Sequence, residues 1–224
     1  MLFDMDGVLI DSQPNHVRAW QTVFARRGVE LDPYLPLQRE GEKALDTCGW
    51  ICAQVGLALS LAERAELVAE KRSYFRSLAG TLPFPEVADV LAGLAERGIP
   101  AALVTGSTVV NARAMIPTEM WRMFAAHIAA EDVTQGKPHP EGYRKGCAAL
   151  GLDPVDCLAV ENAPFGIQAA RAAGCRVLAL TTTLPAELLA GADEISDRHL
   201  RVLELIDEDR TIPQRHGGTA EGSA

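Results

Sequence analysis

From Pro85 onward the chain alternates short apolar runs with amphipathic stretches, and most of the runs end in residues able to do chemistry. Val87, Val90, Leu91 and Leu94 mark a helical face that stops at Gly98. Ala101 to Val104 form an apolar run that ends in Thr105-Gly106-Ser107. His127 to Ala130 form a weaker strand candidate, and Tyr143, Cys147 and Leu150 mark a helix closed by Gly151. Cys157 to Val160 lead into Glu161-Asn162, Ile167 and Ala170 sit on a helix that Gly174 terminates, and Arg176 to Leu180 form a further strand. This alternation predicts an α/β fold, a parallel sheet covered by helices on both faces. Met1-Leu2-Phe3 reads as the end of one more buried strand. With only three apolar residues before Asp4, that strand is expected to pair weakly for a central position.

Between the first strand and this rhythm lies a region rich in helix signals. Val17, Trp20 and Phe24 fall at helical spacing, with Gly28 placed to close the helix. Leu45, Cys48, Gly49, Cys52 and Val55 form a second stripe. Ser60 and Glu63 make a capping-box pattern, opening a helix expected to bury Leu67, the stem of Lys71, Tyr74, Phe75 and Leu78. The expected organisation is a core of residues 1–13 and 81–214 with a helical insertion over 14–80. The small, polar stretch 215–224 is expected to be disordered.

Composition narrows the function. The 224 residues are 48% hydrophobic and carry a net charge of -9, with no basic bias that would suit nucleic acid. No apolar run approaches the roughly 20 residues that span a membrane, and two aspartates come too early for a signal peptide. A cytoplasmic protein, with no nucleic-acid or membrane partner and monomeric by default, is the expectation. The five cysteines include no CxxC and no zinc spacing, so reduced, buried thiols are expected.

In an open parallel sheet, ligands bind beyond the carboxyl ends of the strands. That edge would gather Asp4 and Asp6 from DMDGVLIDS, Thr105 from LVTGS, Lys137 from GKPHPEGY, and Glu161-Asn162 from VENAPFG. Carboxylates, a hydroxyl, a lysine and glycine turns suit phosphoryl transfer with a hard cation such as magnesium, which prefers oxygen ligands and few carboxylates. One of Asp4 and Asp6 can attack phosphorus while the other handles the leaving-group proton. Lys137 can neutralise charge, and Thr105 and the N–H groups near Gly7 and Gly106, with Ser107 beside them, can hold phosphoryl oxygens.

DMDGVLIDS, LVTGS, GKPHPEGY and VENAPFGIQAARAAG, in this order, resemble the four motifs of the haloacid dehalogenase superfamily. The helical insertion resembles its C1-type cap on a Rossmann-like core. The resemblance covers residues 1–206 and implies an aspartyl-phosphate on Asp4 with acid/base work by Asp6. It implies that Thr105 and Lys137 hold the phosphoryl group. It places Mg2+ on Asp4, the backbone carbonyl of Asp6 and the acidic residues of the fourth motif. An acid at position 6 is expected of phosphatases and phosphomutases and not of the dehalogenase branch.

The fourth motif departs from the family's frequent Glu-Asp, because Asn162 is neutral, so a weaker metal site that leans on Glu161 is expected. His16 beside the cap junction and Arg39, in LQREGEKAL, are the candidate cap-side substrate contacts, with Glu42 and Lys43 as Arg39's charged neighbours. The leading function is a phosphatase acting on a small phosphorylated metabolite, such as a sugar phosphate. The alternatives are a sugar phosphomutase resembling β-phosphoglucomutase, for which Arg39 would hold a second phosphate, and a catalytically silent binding protein.

Overall fold

The computed structural model describes residues 1–78 and 81–211, so the stretch 215–224 lies outside the described residues. Six parallel strands form one sheet: β1 (Leu2–Phe3), β2 (Ala102–Val104), β3 (Ala126–Ile128), β4 (Leu158–Glu161), β5 (Arg176–Leu180) and β6 (Glu194–Ser196). Their spatial order is β3-β2-β1-β4-β5-β6, with β1 at the centre. Leu2 aligns with Ala102 on one side and Ala159 on the other.

The apolar runs are continuous because both faces are buried. Leu2, Ala102, Val104, Ala159, Val177 and Ala179 face one core, closed by α8 (Glu141–Leu150) and α9 (Pro164–Ala173). Phe3, Leu103, Val160, Leu178 and Leu180 alternate with them and face the other. That second core is closed by α5 (Val87–Glu96), α6 (Val109–Met115), α7 (Thr118–Trp121) and α10 (Arg201–Thr211). Short as it is, β1 extends its pairing beyond the strand: Ala102 N–H donates to Met1 O at 2.9 Å and Asp4 N–H to Val160 O at 3.1 Å.

One expectation needs correction at the sheet's margin, and one strand was not foreseen. The third strand starts at Ala126 rather than His127, and after Ile128 the chain turns into a 3-10 turn over Ala130–Asp132. The edge strand β6 gave no apolar signal, because Glu194 and Ser196 are polar and Ile195 is exposed.

Among the described residues the elements of the insertion are all helices: α1 (Gln13–Ala25), α2 (Tyr34–Leu37), α3 (Ala44–Gln54) and α4 (Leu61–Ser77). It has its own core of Trp20, Val23, Phe24, Ile51, Leu67 and Val68. The capping box forms as expected, with Ser60 N–H on Glu63 Oε2 at 2.7 Å and Glu63 N–H on Ser60 Oγ at 3.3 Å. Lys71 is buried to its ammonium group, whereas Tyr74, Phe75 and Leu78 are only half-buried. Where the chain leaves and re-enters the core, Asp11 N–H bonds Leu82 O at 2.9 Å and Phe84 N–H bonds Leu9 O at 3.0 Å. The two crossings therefore run as a short antiparallel ribbon centred on Ile10 and Pro83. Among the described residues no helix is long and apolar enough to cross a membrane. All five cysteines are buried and free.

Candidate active site

The order of strands reverses around β1, so the turns after β1, β2 and β4 open into one crevice. Asp4 leaves β1 directly and is buried. Lys137 Nζ donates to Asp4 Oδ1 at 2.7 Å and to Glu161 Oε1 at 2.6 Å. The Tyr143 hydroxyl, on α8, donates to the same Glu161 oxygen. Lys137 thus ties the end of β1 to the end of β4. Burial pushes the Asp4 carboxyl up to about 7 even against the opposing charge of Lys137. Burial would lower Lys137, but the Asp4 and Glu161 carboxylates outweigh it and hold the ammonium above its usual value.

Asp6 sits in a second network. Ser12 Oγ donates to its Oδ1 at 2.6 Å, and His16 Nε2 lies 3.2 Å from the same oxygen. Ser107 Oγ reaches Oδ2 at 3.3 Å. Behind His16, Lys71 Nζ lies 2.6 Å from Nδ1. An ammonium only donates, so Nδ1 accepts and the Nε2–H faces Asp6. Burial raises Asp6, yet the His16 and Ser12 contacts leave it below the ordinary carboxylate range. Burial, then the Lys71 charge, holds His16 below its usual value. Burial brings Lys71 down to about 8. Phe75 stacks on the His16 ring at 4.1 Å between centroids, which fixes the ring plane.

Thr105 is buried, with its Oγ1 accepting from Ser107 N–H at 3.0 Å, so the turn presents Gly106 and Ser107 to the crevice. Gly7 needs its positive φ of 79°, and a Cβ there would lie 2.0 Å from Asn162 Nδ2. Gly7 therefore stands against the fourth motif and is not among the residues lining the cleft. Asp132 and Asp193 accept from the backbone, at Ala129 N–H and Val177 N–H.

The cap closes over this edge. Between core and cap lies a cleft of about 370 Å³, lined among others by Asp4, Asp6, His16, Arg39, Lys71 and Ser107. A Cβ on Gly106 would lie 3.2 Å from Gly41 O, and Lys43 Nζ bonds Thr134 O at 2.6 Å, so the cap loop is seated on the core. Arg39 reaches the cleft wall but is engaged. Its guanidinium pairs with Glu42 and lies 4.5 Å from the Phe165 ring and 5.3 Å from that of Trp50.

Glu40 is the residue that the sequence did not disclose, because its neighbours in LQREGEKAL share its charged character. It is 8% exposed and reaches from the cap into the core. Its Oε1 accepts from Gln13 Nε2 and, at 2.6 Å, from Asn162 Nδ2, which also bonds Thr183 Oγ1 at 2.9 Å. Burial pushes its carboxyl well up. Glu40 Oε2 and Asn162 Oδ1 are buried without partners.

Among the described residues no three His, Cys, Asp or Glu side chains close around a point to form a ready-made metal cage. Magnesium does not need one, since it keeps several waters and takes one or two carboxylates. Two orphaned buried oxygens beside Asp4 and Glu161 fit such a hard cation, because each carries unused lone pairs.

The chain matches the model of the haloacid dehalogenase-like hydrolases over residues 1–174. It belongs to that family. It is 34% identical over 196 residues to validoxylamine A 7'-phosphate phosphatase of Streptomyces hygroscopicus subsp. limoneus, covering 86% of this chain and 90% of that one. It is also 34% identical to the fructose-1-phosphate phosphatase YqaB of Escherichia coli, over 78% of this chain and 92% of that one. Among solved structures, a candidate β-phosphoglucomutase from Bacteroides vulgatus superposes with a TM-score of 0.79 at 29% identity, covering 91% of this chain and 88% of that one. CbbY from Rhodobacter sphaeroides in complex with phosphate gives 0.73 at 26%, covering 89% and 94%. The chain shares the fold of these structures, core and cap together.

Proposed function

We propose that this chain is a magnesium-dependent phosphatase that hydrolyses a small phosphorylated sugar or polyol through a phosphoenzyme on Asp4. The observation that carries this is the placement of Asp4 and Asp6 on the floor of a cap-covered cleft of about 370 Å³. That volume suits a metabolite rather than a macromolecule. The 34% identical relatives named as phosphatases of phosphorylated sugar-like compounds support the substrate class.

An Asp4 oxygen attacks phosphorus, the ester P–O bond breaks, and the leaving alkoxide takes a proton from Asp6. Water then attacks the aspartyl-phosphate and gives its proton to Asp6. The P–O bond to Asp4 breaks and releases phosphate. His16 and Ser12 orient the Asp6 carboxyl between its two duties. A dianionic phosphate arriving beside Asp6 raises its affinity for a proton, which readies it as an acid. Lys137 offsets charge on Asp4 and the transferring group, and the Gly106 N–H and the Ser107 hydroxyl, both at the cleft, hold phosphoryl oxygens. Asp4, the Asp6 carbonyl, Glu161 and Asn162 would hold the cation, which supplies charge neutralisation between nucleophile and phosphate. Cap closure excludes bulk water while the phosphoryl group moves to Asp4, and the hydrolytic water enters once the alcohol has left.

The mutase reading needs a cap cation for a second phosphate; Arg39 is already paired with Glu42, while Arg72 on α4 also lines the cleft, so the assay decides between the two readings. The test is phosphate release from a panel of phosphorylated sugars and polyols, with and without magnesium. Magnesium-dependent release that drops at least about a thousandfold in Asp4→Asn supports the proposal. Release that survives the substitution removes Asp4 as nucleophile. Isomerisation primed by a bisphosphate, without release, replaces the phosphatase by the mutase.

A further inference from the structure

The two orphaned oxygens belong to different parts of the fold. Asn162 Oδ1 stands at the end of β4, and Glu40 Oε2 comes from the cap loop between α2 and α3. Asn162 is fully buried and Glu40 is 8% exposed, so bulk water does not readily satisfy either. The Asn162 amide is oriented by its neighbours. Its Nδ2 is spent on Glu40 Oε1 and Thr183 Oγ1, which leaves only the carbonyl oxygen available. Glu40 is likewise fixed by Gln13 and Asn162 through one oxygen, with the other available.

Charge counting explains why a carboxylate should come from the cap. Lys137 cancels one of the two charges on Asp4 and Glu161, leaving one negative charge. Asp6 is balanced through His16 by Lys71. Asn162 adds none. A divalent cation therefore meets a core that is one charge short, and Glu40 is a buried carboxylate in direct contact with the neutral position.

We propose that Glu40 supplies from the cap the carboxylate charge that Asn162 lacks, so that divalent-cation binding and cap closure are one linked event. This rests on the cation part of the proposed function and not on its substrate. Cation binding would draw the cap down, and an open cap would leave the core with a weaker site. By linkage, whatever opens the cap releases the cation.

The test measures Mg2+ binding by calorimetry and by the Mg2+-induced rise in Tm, on the full chain without substrate. The variants are Glu40→Gln, Asn162→Asp and the double variant. Glu40→Gln keeps shape and size, and circular dichroism of the metal-free protein reports its folding. The expected result is at least a tenfold loss of Mg2+ affinity in Glu40→Gln, with recovery to within about threefold in the double variant, where the carboxylate returns on the core. Small-angle scattering should show the wild type, and not the double variant, becoming more compact as Mg2+ is added. Mg2+ affinity unchanged within twofold in Glu40→Gln overturns the proposal, as does a double variant no better than the single one. A wild type that shows no Mg2+ binding at millimolar concentration also overturns it. If no compound releases phosphate while Mg2+ affinity still follows Glu40, the phosphatase reading fails and this inference stands.

Discussion

Gly166 presses its backbone onto the Glu161 carboxylate: a Cβ on Gly166 would lie 2.0 Å from Glu161 Cδ and Oε1. In a helix interior, glycine ordinarily loses about 1 kcal/mol to alanine, so the residue is not there for helix stability. It lets α9 start close enough to β4 for Glu161 to be held by Lys137 and Tyr143. Gly166→Ala is therefore expected to destabilise the fold by about 1–3 kcal/mol, the usual cost of overpacking. Urea melts measure that loss, and Mg2+ affinity should fall with it. A stabilised variant with unchanged affinity would remove this account of Gly166.

Lys137 holds together two buried carboxylates that would otherwise face each other unpaired. Removing one member of a buried ion pair typically costs about 3–5 kcal/mol, because the remaining charge keeps its desolvation penalty. Lys137→Ala should therefore lose stability of that order at neutral pH as well as activity. The stability loss should shrink as pH falls through about 7 and Asp4 takes up its proton. Chemical denaturation at two pH values checks both statements.

The buried Lys71 gives a pH signature of opposite origin. Its ammonium is held at about 8 in the fold against 10.5 for a free lysine. The unfolded chain therefore carries more protons between about pH 8 and 10.5, and stability rises with pH across that window. Below pH 8 the full cost of the buried charge is present, roughly 3 kcal/mol by the size of the shift. Lys71→Met should lack that rise, so the wild type should gain on the variant as pH climbs from 8 to 10.5. Parallel denaturation curves for both proteins would show no such gain if the ammonium were solvated.

Arg39 bridges cap and core by lying between the Trp50 and Phe165 rings. Such contacts are worth about 0.5–1 kcal/mol at partly exposed sites. Arg39→Ala should raise KM about two- to fivefold and leave kcat for the best substrate nearly unchanged. A collapse of kcat instead would mean that the guanidinium acts on the reacting phosphate.

The sheet was legible where both faces of a strand are buried, because Leu2–Phe3, Ala102–Val104, Leu158–Val160 and residues 177–180 are apolar without interruption. It was illegible at β6, whose residues Glu194 and Ser196 lie on a half-solvated edge. The positions of Asp4, Asp6, Thr105 and Glu161 were legible because the end of a strand fixes them, and Lys137 reaches the same edge from a loop that the GKP turn marks. His16 was legible only as a candidate, and its partner Lys71 only as an aliphatic stem, because their pairing links residues 55 apart across two helices. Glu40 and Tyr143 were not legible at all as site residues. One hides in a charged loop and the other in an apolar helical stripe, and only the docking of α8 and the cap turns them toward Glu161 and Asn162.

The chain leaves the core and returns to it at adjacent points, laced by the bonds from Asp11 to Leu82 and from Phe84 to Leu9. Everything between enters through one narrow doorway, so the sheet's register does not depend on how many residues the excursion holds. Such a chain can exchange its whole lid for another, or lengthen it, without re-threading a single strand. The parts that choose a substrate and the parts that break the bond are thus free to change at different rates. Only the few cap residues that reach down, Glu40 foremost, would bind the two histories together.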